Sequence, residues 1–359
     1  VNAHEPLDEP ILDAGLPIVD AHHHLWDHGG PDRAPAPDCH PLLAMTAVRS
    51  RYLAAELAAD LASGHAVKAT VYVQSGPGFY FSQGPDELRP VGETVHARKA
   101  GEAALASTGL AMCAAIVGFA DLSLGDRVQP VLEAHLEAGG GRFRGIRNGM
   151  AWDADPAVMG PFAGRQGLYA SNGFRQGLRR LADFGLSFDA WLLEPQLPDL
   201  LDLARAVPDA LIILDHLGAP LGLGAYAGRQ DERFPIWRGL LRNLAACDNV
   251  VVKLGGLGMP LAGLGTFGRT CSSVELAQLW FPYFETCIEI FGPRRCMLES
   301  NFPAEAGSCS YRILWNSFKI ICNKFSETEK ADLFHGTAAR AYRLKMAALP
   351  SAQDERVEV

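Results

Sequence analysis

The chain has 359 residues, of which 48% are hydrophobic and 20% charged, a balance that describes a folded globular protein and excludes disorder for most of its length. Its 41 acidic against 32 basic residues give a formal net charge of −9. That offers no broad positive field for phosphates, so the expected partner is a small molecule and not a nucleic acid.

The 8 cysteines contain no C-x-x-C pair, which removes support for a zinc ribbon or a thioredoxin-like site. Several lie in apolar runs, as Cys113 does in AMCAAIVGFA, and read as reduced thiols of an intracellular protein. The opening VNAHEPLDEPILDAGLP carries acids and prolines where a secretory signal needs a basic start and an apolar run, so a cytoplasmic location is expected. Residues 103–120 carry no charge, but Ser107, Thr108 and Gly109 interrupt them. A helix end followed by a buried strand is expected there, not a membrane span.

Short β-rich runs then alternate with amphipathic helical stretches. In order the runs are PIVDAHHH (17–24), VKATVYVQS (67–75), AMCAAIVGF (111–119), FRGIRNG (143–149), LSFDAWLLE (186–194), ALIILDHLG (210–218), NVVVKLGG (249–256) and RCMLESNF (295–302). Helices are expected between them, for example at 52–63, 175–184 and 274–291. The alternation and the count predict a single-domain α/β fold, a (β/α)8 TIM barrel over 16–345, with an N-terminal extension at 1–15 and a flexible tail at 346–359. Long segments after runs 1, 2, 4, 6 and 7 are expected to cover a pocket at the carboxyl ends of the strands. Assembly into a homo-oligomer is left open.

The sharpest local signal is Asp20-Ala21-His22-His23-His24. Side chains alternate along a strand, so His22 and His24 share one face and His23 takes the other. Two imidazoles aimed into one cavity are a common start for a divalent-metal site; the competing reading is a hydrogen-bonded cluster packed under Trp26. His216, in ILDHLG, would join them at the barrel mouth. By alternation Asp215 should then point outward. Arg144 and Arg147 differ by three positions and face opposite sides. Arg147 is the one expected to clamp a substrate carboxylate, and Arg144 to bridge to an outer helix. Lys253, alone in VVVKLGG, is either a substrate-contacting or Schiff-base amine or a paired ammonium packed by its stem. Trp26, Tyr80, Trp152 and Phe302 lie on or beside the long loops and are candidate pocket walls. No G-x-S-x-G or P-loop pattern occurs.

The segments VDAHHHLWD, RFRGIRNGMAWD, LIILDHLG, VVVKLGGLGMP and ESNFP resemble, in order and spacing, the amidohydrolase-related TIM-barrel family that includes 2-pyrone-4,6-dicarboxylate lactonase and sugar-acid γ-lactonases. The likeness runs from about residue 16 to Leu344. It implies a hydrolase opening a small cyclic ester, with His22, His24 and His216 forming the site and holding a divalent metal such as Zn or Mn. The pyrone lactonase works without metal, so metal-independent catalysis is the alternative. The likeness also implies an aspartate at the end of strand 8, where this chain has Asn301. An amide cannot be a general base, although its carbonyl can ligate a metal or orient a water. The replacement base is expected in Glu299, two residues earlier on the same face, or Glu194, at the end of run 5. A decarboxylase, an aldolase acting through Lys253, and a barrel that only binds a ligand are the other functions in view.

Overall fold

The computed structural model describes residues 7–29 and 39–345; the tail expected at 346–359, residues 1–6 of the extension and 30–38 of the first loop lie outside the described residues. The expected barrel is present. Its strands are β1 (Ile18–His23), β2 (Val67–Val73), β3 (Ala111–Gly118), β4 (Phe143–Arg147), β5 (Ser187–Ala190), β6 (Ile212–Leu214), β7 (Val250–Leu254) and β8 (Cys296–Leu298). Each pairs in parallel with the next. The crossover helices are α1 (Ala54–Leu61), α2 (Val91–Thr108), α3 (Gln129–Ala138), α4 (Asn172–Asp183), α5 (Leu197–Ala206), α6 (Gln230–Ala245), α7 (Ser273–Phe291) and α8 (Tyr311–Cys322). Among the described residues, no helix is long and apolar enough to cross a membrane.

Alternation along the strands sorts the core into two layers. Val19, Ala21, Val71, Val73, Ala115, Val117, Ile213, Val251 and Met297 form an inner cluster, against which Ala338, Ala341 and Tyr342 pack. Ile18, Tyr72, Ile116, Phe188, Ile212, Leu214 and Leu254 belong to the larger outer cluster with the apolar faces of the helices. Side-chain caps fix where helices begin. Ser171 Oγ accepts from Phe174 N ahead of α4, and Ser272 with Glu275 forms a capping box ahead of α7.

The last seam of the barrel is made beyond the end of β8. Asn301 N donates to His22 O at 2.8 Å and His24 N to Phe302 O at 2.8 Å. The buried Asp20 carboxylate adds a side-chain rivet, accepting from Ser300 N (2.8 Å), Ser300 Oγ (2.6 Å) and Tyr311 OH of α8 (3.1 Å). Closure therefore runs through the same short segments that carry the histidine pair.

Strands β5, β6 and β8 stop earlier than their apolar runs. The backbone at the end of those runs bonds to side chains instead of to a neighbouring strand, as when His216 N donates to Glu299 Oε1 at 3.2 Å. Between β4 and β5 the approach is close. A Cβ on Gly145 would lie 2.2 Å from Ser187 Oγ and 2.7 Å from Ser187 O. The hydroxyl can rotate away, but the carbonyl is held in the sheet. Gly145→Ala is expected to cost about 1–3 kcal/mol, seen as a lower urea midpoint at unchanged m-value. An unshifted midpoint would mean that these strands have slack.

Candidate active site

His22 and His24 face inward and His23 outward, as alternation predicts, but a register irregularity in β1 between Asp20 and His23 sets that phase, since Ala21 also belongs to the inner cluster. His23 Nε2 sits 2.8 Å from Thr70 Oγ1, and its ring stands edge-on to Tyr72. His24 Nδ1 lies 2.8 Å from Val73 O. A carbonyl only accepts, so Nδ1 carries the proton and Nε2 the lone pair. His22 Nε2, 3.2 Å away, then donates to His24 Nε2, so the longer 3.4 Å approach of Arg147 Nη1 to the same nitrogen is not a hydrogen bond, and His22 Nδ1 is left to accept from Lys253 Nζ at 3.1 Å. Burial, then the nearby charges of Lys253, His216, His24 and Arg147, hold His22 well below the ordinary imidazole range; burial and Arg147 do the same for His24. Both are neutral.

His216 reaches the same place by a different route. Strand β6 ends at Leu214, and His216, Leu217, Gly218 and Ala219 follow at φ of +53°, +55°, +72° and +44°. This left-handed turn, tied by Ala219 N to His216 O and by Trp237 Nε1 to Leu217 O, swings the imidazole inward. Gly256 leaves it room, because a Cβ there would lie 2.7 Å from His216 Cβ. Asp215 accordingly does not point outward, correcting the expectation from alternation. Ile213 is on the inner wall, and Asp215 continues that parity to lie 3.0 Å from Lys253 Nζ and 3.7 Å from Arg147 Nη1.

Glu299 lies beneath the histidines. Oε1 is 2.6 Å from His216 Nδ1 and Oε2 is 2.8 Å from His22 Nδ1. It is fully buried and does not line the pocket, so it touches substrate only through the imidazoles above it. Lys253 is buried deeper among Asp189 (2.7 Å), Asp215 and His22, a correction to its expected place at the substrate. Burial pushes its ammonium down, but Asp189, Asp215 and Glu299 together outweigh this and hold it above the ordinary lysine value. A Schiff-base nucleophile needs the opposite.

The pocket above these groups has a volume of about 160 Å³. That is close to the roughly 150 Å³ that accommodates a benzene ring in an engineered cavity. His24, His216, Arg147 and Asn301 give it polar groups, and Trp26, Trp191 and Met259 are among its apolar walls. Trp191 stands edge-on to His216, with ring centroids 5.0 Å apart. Arg147 Nη2 donates to Gln74 O, while Nε–H is buried without a partner.

Beside the deeper His22, Glu299 and Lys253, the expected residues Glu194, Tyr80, Trp152 and Phe302 lie outside the pocket lining. Glu194 is a buried partner of Arg233 on α6, neither a base at the pocket nor an exposed acid. Tyr80 and Trp152 do not line it either; Trp152 N donates to Gln196 Oε1 at 3.0 Å. Arg144, expected to bridge to a helix, donates to Phe143 O and has Arg343 as its charged neighbour. Sequence reasoning missed Trp191, Asp189 and Glu305. The pattern DAW, an acid two residues before a tryptophan in an apolar run, was the available signal for the first two.

A divalent cation fits this donor set. His22, His216 and Glu299 offer ligand atoms within 4.8 Å of one another, and Glu299 Oε2 is buried with no hydrogen-bond partner. Oε2 and the Nδ1 lone pair of His22 face each other across 2.8 Å, a repulsion that a cation would relieve. The trio differs from the expected one in that Glu299 takes the place of His24.

Comparison with known proteins agrees with this picture. The chain is 32% identical to an uncharacterized protein, y4mH, of Sinorhizobium fredii, over 92% of this chain and 99% of that one. It is 29% identical to an L-fucono-1,5-lactonase of Burkholderia multivorans over 69% of this chain and 75% of the relative. A crystal structure of a B. multivorans amidohydrolase with bound zinc superposes with a TM-score of 0.68 at 25% identity, covering 91% of this chain and 99% of that one. The profile of the amidohydrolase family Amidohydro_2 matches residues 19–344, and this chain belongs to that family.

Proposed function

We propose that the protein is a hydrolase that opens a small carboxylated lactone by attack of water at the His216 imidazole. The observation that carries this reading is the His216–Glu299 pair at the floor of a pocket that also holds Arg147. Glu299 Oε1 accepts from both the His216 ring and its backbone N–H, which keeps the proton on Nδ1 and the lone pair on Nε2. Nε2 takes a proton from water as the water oxygen bonds to the ester carbonyl carbon. The tetrahedral intermediate then expels the ring oxygen, which recovers that proton from the imidazolium, giving a hydroxy acid. Arg147, whose side chain lines the pocket, receives the substrate carboxylate. A divalent cation held by His22, His216 and Glu299 would occupy a ring nitrogen of His216 and, by acidifying bound water, would stand in place of the imidazole as the means of activating it.

The pocket volume, one small ring, and the likeness to a lactonase support the substrate class. The test is a panel of sugar-acid and pyrone lactones followed by acid release, with a His22→Ala, His24→Ala double variant in parallel. Turnover by the wild type and its loss in the variant are expected; equal rates in both would refute the reading. Activity that survives dialysis against chelator leaves the proton step with His216 alone. Loss on chelation and recovery with zinc assigns the activation of water to the cation instead.

A further inference from the structure

We propose that Glu305 is a positioning residue that holds the Asn301 side-chain amide with Oδ1 toward the pocket, where Oδ1 orients the attacking water for His216. This rests on the hydrolytic reading above and adds to it the group that aims the nucleophile.

Glu305 sits in the turn Ala304–Gly307 and is completely buried. Oε2 accepts from Gly258 N at 2.7 Å and Oε1 from Asn301 Nδ2 at 3.2 Å. The carboxylate is pinned, because the space a Cβ would take at Gly258 is filled by Oε2, 2.2 Å away. An ionised carboxylate can only accept, so only the NH2 end of Asn301 can face it. Oδ1 is thereby turned the other way. The Asn301 backbone adds no freedom, since its N donates to His22 O in the barrel seam and its φ is +52°.

Asn301 lines the pocket with His216, and a water between them has one hydrogen for His216 Nε2 and one for Asn301 Oδ1. Held by both, the water directs its lone pair at the carbonyl carbon. Oδ1 never takes the proton, so a site with an amide at the end of the last strand still activates water. Burial pushes the Glu305 carboxyl up to about 7, so the arrangement belongs to neutral and alkaline solution.

The test uses Glu305→Gln at about pH 8, above the Glu305 value. The new side chain keeps its shape, but Gly258 N requires its carbonyl end. Its NH2 then faces Asn301, whose amide must turn around and present NH2 to the water. A fall in kcat of about 10- to 100-fold with KM nearly unchanged is expected. Adding Asn301→Asp should restore kcat, because the introduced carboxylate accepts from the carboxamide and keeps an oxygen toward the water. Because an aspartate at 301 can also restore the rate as a base, the rescue counts only together with the exchange readout below, while a drop that persists in the double variant overturns the proposal, as does no drop at all. A second readout needs no substrate. The Asn301 side-chain NH2 resonances, assigned by their loss in Asn301→Asp, should exchange slowly in wild type and quickly in Glu305→Gln. Equal exchange rates overturn the proposed amide orientation, whereas failure of wild type on every lactone removes the hydrolytic reading and, with it, the proposed role for the water.

Discussion

His216→Asn is expected to lower kcat for lactone opening by about 10²- to 10⁴-fold, the range for loss of a positioned general base. Asparagine is the informative replacement. Its NH2 comes close to where Nδ1 stood, so the bond to Glu299 Oε1 survives, while Nε2 is deleted. It also tolerates the left-handed backbone at this position better than other non-glycine residues. Alanine would leave the buried Glu299 carboxylate without its partner and mix a folding defect into the rates. The unfolding midpoint of His216→Asn should therefore stay near wild type, and substrate binding, which the reading assigns to Arg147, should change little. A kcat close to wild type would take His216 out of the chemistry. An equal loss of stability and activity would show that the residue only holds the turn.

The residues that alternation and chain order could place were readable from the sequence, and those whose direction depends on a bend or on a distant partner were not. The eight apolar runs became the eight strands, and His22, His24, Arg147 and His216 meet at the carboxyl ends because a barrel brings every strand end to one rim. Asp215 was misread because His216 was taken to be inward by alternation; Asp215 keeps the inward parity of Ile213, and His216 reaches the pocket only through the left-handed turn that begins with it. Glu194 resembled a rim acid only because nothing local announces Arg233, 39 residues further on. Glu305 was invisible for the same reason. What marks it is a glycine amide 47 residues upstream and burial, neither of which a local pattern contains. Lys253 stood out correctly as an ion inside an apolar strand, but its partners Asp189 and Asp215 come from β5 and from the turn that follows β6. Their identities decide between nucleophile and paired ammonium.

That pairing yields the largest expected effect on stability. Lys253→Met should lower the unfolding free energy by about 3–5 kcal/mol, the usual consequence of removing one member of a buried ion pair. The stem is replaced by apolar volume, so packing against Tyr342 is nearly kept, and what is lost is the ammonium between two carboxylates. Asp189 and Asp215 would then face each other without the ammonium between them, Asp215 keeping the more distant Arg147 and Asp189 the Tyr342 hydroxyl. Like charges in a site without solvent raise the carboxyl values, so the folded variant binds a proton more tightly than its unfolded chain does. Stability is then greatest in acid and lost as pH rises through the raised value. The deficit against wild type should consequently be small under acidic conditions and grow toward neutrality, in urea titrations at several pH values. Adding Asp189→Asn removes one of the two charges while leaving an oxygen for the Tyr342 hydroxyl, now 2.6 Å away, and should recover part of the loss. If Lys253→Met matched wild type at neutral pH, the carboxylates would have to be protonated in the native protein. The Lys253 amine would then be uncharged, and the proton that its contact with His22 places on Nε2 would move to Nδ1.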